Sequence, residues 1–136
     1  MAMLPSGLSD CITDDEDLAR FLTQSSHFNA SMAKPAAFLP NPRDRETSVS
    51  RHGSEPRDRL WTIGLEASGE RNLHGAAIFE ALVVREAELD VSADEPPPRH
   101  AVIKGWPWNE SDPELQKARQ KELALQIASR AVLVLR

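Results

Sequence analysis

The sequence predicts an α+β fold, a small mixed or antiparallel sheet of four to five short strands covered by a C-terminal amphipathic helix. Three observations predict it. Apolar residues recur at three- to five-residue spacing over 112–130, the pattern of one helical face. Short β-branched or alternating segments occur at Thr47–Ser50, Leu89–Ser92 and Ala101–Ile103. The stretch Pro96-Pro97-Pro98-Arg99-His100-Ala101-Val102-Ile103-Lys104-Gly105-Trp106-Pro107-Trp108 joins a stiff proline run, a strand-like piece and a tryptophan-bearing bend.

Taken in order, residues 1–12 read as a loose N-terminal arm, and 13–136 as a single globular α+β domain. Thr13-Asp14-Asp15-Glu16 has the spacing of a capping box, and Leu18, Phe21 and Leu22 follow at helical intervals, so a first helix is expected near 14–24. Ser25–Ser31 is polar and reads as a loop. Ala36–Leu39 lies between Pro35 and Pro40, which forbids a long helix and predicts a short extended piece. Pro40-Asn41-Pro42 turns the chain into a charged block over 43–59, inside which Thr47–Ser50 is a strand broken by Gly53 and Pro56. Leu60–Leu65 fits a strand or a short helix. Gly75–Val84 is apolar under both periodicities and stays undecided between a buried strand and a helix. Strands follow at Leu89–Ser92 and Ala101–Ile103. The last helix, about 112–130, opens on a Ser111–Glu114 capping box with Pro113 in its first turn. Ala131–Leu135 either extends it or forms a terminal strand.

A chain of 136 residues supports one core without covalent staples. The single cysteine, Cys11, cannot form an internal disulfide, and no apolar run reaches the roughly 18 residues that span a bilayer. The expectation is a cytoplasmic protein with no membrane contact. Net charge is −5, and Asp10, Asp14, Asp15, Glu16 and Asp17 precede the first basic residue, Arg20; the other acidic residues match the basic ones in number. That balance lacks the basic footprint of a duplex nucleic-acid binder.

Candidate chemistry gathers at a few positions. Ser50-Arg51-His52-Gly53 sets a hydroxyl, a guanidinium and an imidazole beside a glycine, a combination able to hold an anion. Arg99-His100 follows the stiff proline run, which would fix His100 for acid–base work. The plainer reading of both is a charged turn and a histidine bonded to backbone. His74 is a weaker candidate. No His or Cys spacing matches a metal motif, no Gly-rich phosphate loop occurs, and no cofactor is implied. Of the two tryptophans in Trp106-Pro107-Trp108, Trp106 reads as core and Trp108 as the exposed member of a recognition patch.

The segments Lys34–Pro40, Thr47–Gly53, Pro98–Ala101 and Gly105–Pro107 together resemble a set of small uncharacterised bacterial proteins, over most of the chain. The resemblance implies a bacterial, cytosolic, single-domain protein and transfers no catalytic role.

Two functions follow as expectations. The first is an accessory or interaction module that works through a partner protein, with the acidic arm and the Trp-Pro-Trp bend as its contacts and a homodimer as one form of it. The second is a small enzyme or binding domain for a phosphate-bearing substrate, a nucleotide or RNA. In it Arg51 clamps the anion and His52 and His100 serve as acid and base. This second reading requires those side chains to converge, because proton transfer needs contacts of about 3 Å.

Overall fold

A computed structural model describes residues 2–53 and 55–136. The fold is α+β, with a six-stranded sheet in which every pairing is antiparallel, one strand more than expected. The strands are β1 (Asp17–Leu22), β2 (Thr47–Arg51), β3 (Gly75–Glu80), β4 (Asp90–Ala93), β5 (His100–Lys104) and β6 (Val132–Leu135), in the spatial order β4-β5-β2-β1-β3-β6. Helices α1 (Arg57–Ser68), α2 (Ala81–Glu86) and α3 (Pro113–Arg130) complete it, with 3-10 turns at Ser25–His27 and Pro35–Phe38.

The segment expected as the first helix is the central strand β1. Leu18 and Leu22 enter the main core with α2, α3 and Phe38, while Ala19 and Phe21 join Leu60 of α1 on the opposite face. A strand covered on both sides is apolar on both, so its residues also fall at helical spacing. The presumed capping box is a turn: Thr13 Oγ1 donates to Asp15 and the Glu16 N–H to the Thr13 carbonyl. Of Ala36–Leu39, expected to be extended, Ala36–Phe38 belong to a 3-10 turn that starts at Pro35, while Lys34 and Leu39 hold the extended geometry that precedes each proline.

Other ambiguities resolve by burial. Gly75–Val84 is both alternatives in series, strand β3 and then α2 from Ala81. Leu60–Leu65 is helical, within α1, whose C-cap Gly69 (φ 60°) donates to Leu65. Ala131–Leu135 leaves the helix and becomes β6 on the sheet edge. At the start of α3 the cap is Asp112, whose side chain accepts from the Leu115 N–H, rather than Ser111.

One face of the sheet carries the larger core. There Ala124, Ile127 and Ala128 of α3 pack with Phe38, Phe79, Ile103 and Trp106. Gln120 of α3 donates to the Pro107 carbonyl at 2.9 Å and the Asn109 N–H donates to Gln116 at 2.6 Å, so the tryptophan-bearing bend is latched to the helix. The other face carries α1, whose Leu60 packs on Ala19 and Ala76.

The expected loose arm is a bridged hairpin among its described residues: Met3 pairs with Ser9, and the Asp10 N–H donates to Ala2. Ser6 bonds Glu95, and Ile12 is buried. Among the described residues no helix is long and apolar enough to cross a membrane.

Candidate functional site

The ladder between β1 and β2 pairs only Leu18 with Arg51 and Ala19 with Ser50, whereas β1 pairs with β3 along its whole length. Past Ala19 the two strands diverge. Arg20 bridges the gap, its Nε donating to the Ala37 carbonyl at 2.7 Å and its Nη1 to the Ser48 carbonyl at 2.9 Å. Over this divergence, on the α1 face, lies a cleft of about 210 Å³. Phe21, Ser48 and Ser50 contribute from the sheet, Ile63 from α1, and Pro97 and Pro98 from the loop before β5.

His100 stands at one end. Ser50 and His100 are direct cross-strand partners, so both side chains face α1. His100 Nδ1 lies 3.0 Å from the Asp94 carbonyl and 3.1 Å from its carboxylate. A carbonyl oxygen can only accept, so Nδ1 carries the proton of this contact, and in the neutral ring Nε2 is the acceptor. Arg99 orients the strand entry. Its φ of 66° is in the left-handed region, and its guanidinium fixes that turn by donating to the Arg51 carbonyl and to Glu55, both at 2.7 Å.

The other end is basic. Arg71 lines the cleft with its guanidinium against the last turn of α1, Nε donating to the Ser68 carbonyl at 3.1 Å. Half-buried Arg20 lies near enough that its guanidinium feels this second positive charge. Burial holds Arg20 below its ordinary value, and Arg71 lowers it further. His27 is lowered too, by burial and then by Arg20. Glu66 is the acid lining the cleft, yet among the described residues neither arginine forms an ion pair with it or with any other carboxylate.

The sequence-derived trio does not converge. Arg51 is buried on the face opposite His100, because it follows Ser50 by one residue on β2. Its fork is fully engaged: Nε and Nη2 donate to the two oxygens of Glu16 at 2.6 and 2.7 Å, and Nη1 to the Ser9 carbonyl at 2.6 Å. An arginine so held cannot clamp a substrate. His52 is buried, and neither ring nitrogen has a hydrogen-bond partner among the described residues. Burial lowers its pKa, Arg57 and Arg99 adding to the effect and Asp17 opposing it.

His74 packs against the Phe28 ring, 5.7 Å between centroids, away from the cleft. Trp106 is core, as expected. Trp108 is half-buried with the Arg45 guanidinium 4.7 Å over its ring. Part of the acidic segment is also spent internally, Asp14 on Arg85 at 2.7 Å and Glu16 on Arg51.

Sequence reasoning thus found His100 and Ser50, and missed Arg20, Arg71 and Asp94. Nothing local marks these three; alternation along β1 places Arg20 with Leu18 and Leu22, opposite α1, and only the gap between β1 and β2 lets it line the cleft. No known protein family matches the chain, and no curated protein or solved structure matches it either.

Proposed function

We propose that the chain binds a small molecule bearing an oxyanion, phosphate or carboxylate, in the cleft between α1 and the sheet. The observation that carries this reading is the pair Arg20 and Arg71 lining one cleft without a carboxylate partner among the described residues. Two neighbouring guanidinium groups repel, and an oxyanion between them removes the repulsion and accepts their remaining N–H groups. Ser50 and His100, which line the same cleft, supply a hydroxyl donor and, in the neutral ring, an Nε2 acceptor for the uncharged end. The expected Arg51, His52 and His100 site does not form, so this reading rests on Arg20 and Arg71 instead.

Calorimetric titration with inorganic phosphate and, separately, with succinate tests the proposal and distinguishes the two anions. Saturable binding of one of them is expected, weakened about ten- to a hundredfold in Arg71→Ala, the value of a lost charge-assisted hydrogen bond. Arg71 is exposed, so the variant keeps its fold. Absence of binding by both probes at millimolar concentration, or an Arg71→Ala affinity equal to wild type, overturns it.

A further inference from the structure

The outer edge of β6 offers a second, independent feature. β6 is the last strand in the sheet order, and no described segment covers its free side. Its sequence, Val132-Leu133-Val134-Leu135, is apolar throughout, with Val132 60% and Leu135 50% exposed. It lacks the lysines, prolines and bulges by which natural edge strands resist pairing.

Backbone direction along β6 can be read from its inner side. The Arg136 N–H donates to the His74 carbonyl, and the Val134 carbonyl points at Gly75, 2.7 Å from where a Cβ would stand. Residues 132, 134 and 136 therefore bond inward to β3. By the alternation of an antiparallel ladder, Leu133 and Leu135 direct both their N–H and C=O groups outward.

We propose that this edge pairs with the same edge of a second copy of the chain, antiparallel, about a two-fold axis at Val134. A two-fold axis perpendicular to the sheet keeps each side chain on its own face, so it must pass through a residue rather than between two. Centred on Val134, Leu133 meets Leu135 of the second copy and Leu135 meets its Leu133. All four outward N–H groups then donate to outward carbonyls, and the sheet continues across both copies. Centring on Leu133 instead calls on Ala131, whose N–H is already spent on the Ala128 carbonyl. The Val134-centred register also sets Arg136 of the second copy opposite Val132, on the face that bears Glu80. Glu80 has no ion-pair partner among the described residues, so the two charges complement one another across the seam. A four-residue ladder buries less than a permanent interface does, so the dimer is concentration-dependent.

Light scattering on a size-exclusion column across a concentration series tests this. The mass is expected to climb from 15.1 kDa toward twice that value. Leu135→Lys, at a half-exposed position, is expected to hold the mass at 15.1 kDa throughout with an unchanged circular dichroism spectrum. The register is read by cysteine cross-linking in a Cys11→Ser background, since Cys11 is exposed. Val134→Cys faces its own copy at a non-hydrogen-bonded position, where Cα atoms approach to about 4.5 Å, and oxidises to a covalent dimer. Leu135→Cys does not. A wild-type mass fixed at 15.1 kDa, a Leu135→Lys chain that dimerises like wild type, or cross-linking at 135 in place of 134 overturns the proposal.

Discussion

The guanidinium of Arg51 shows how burial decides a residue's role. Its side chain is 2% exposed and gripped in fork geometry by Glu16, which raises its pKa against the opposing cost of desolvation. Arg51→Ala strands the Glu16 carboxylate, and unfolding in urea is expected to show a loss of about 3–5 kcal/mol. Arg51→Lys is expected to recover little of it, because an ammonium cannot reproduce the two parallel bonds. An Arg51→Lys protein as stable as wild type would show that charge alone matters there. Nothing near Arg51 in the sequence announces this role; its partner stands 35 positions earlier.

His52 makes a complementary case. Its folded pKa lies below the unfolded value of about 6.5, so the unfolded chain takes up protons first as pH falls. Its contribution to stability is complete above about pH 6.5 and declines as pH drops from there toward the depressed folded value. His27 contributes with the same sign. Urea midpoints measured from pH 7.5 down to about 5 should fall, and His52→Leu should flatten part of that slope. An identical slope in His52→Leu would assign the acid sensitivity elsewhere.

At the scale of elements, α1 is the piece that makes the cleft, and Gly64 sets how close it lies. A Cβ at Gly64 would stand 2.6 Å from the Phe21 ring and 2.8 Å from Leu73. In an exposed helix Gly→Ala stabilises by about 1 kcal/mol. Here overpacking costs about 1–3 kcal/mol and wins, so Gly64→Ala is expected to lower the midpoint of thermal unfolding. Because Phe21 lines the cleft, the same variant should also weaken anion binding. A stabilised Gly64→Ala protein would mean that Phe21 yields freely. β1 and α3 mark the two limits of element prediction. The extent of α3 and Pro113 in its first turn are legible, but its buried face is Gln120, Ala124, Ile127 and Ala128, while Leu115 and Ala118 of the expected stripe are exposed. β1 is misread because both of its faces are covered, which erases the alternation that identifies a half-exposed strand.

For the whole molecule, unequal covering of the sheet organises everything else. Phe38, Trp106 and the residues of α2 and α3 fill one face, while α1 closes only part of the other. The cleft is what remains where β1 and β2 diverge under α1, and the bare β6 edge is what remains where the sheet runs out. The two proposals are thus placed on separate parts of the fold and can fail separately.

By itself the sequence determined the α+β class, the C-terminal helix, strands β2, β4 and β5, the buried Trp106 and the candidacy of His100. These follow from periodicity, proline restriction and propensity, which act within a few residues along the chain. Only the tertiary structure decided that 17–22 is the central strand and that Arg51 closes on Glu16. It likewise decided that Arg20 and Arg71 meet in one cleft and that β6 ends the sheet. Each of those outcomes depends on which distant segment covers which face, and burial between partners far apart in sequence leaves no local pattern to read.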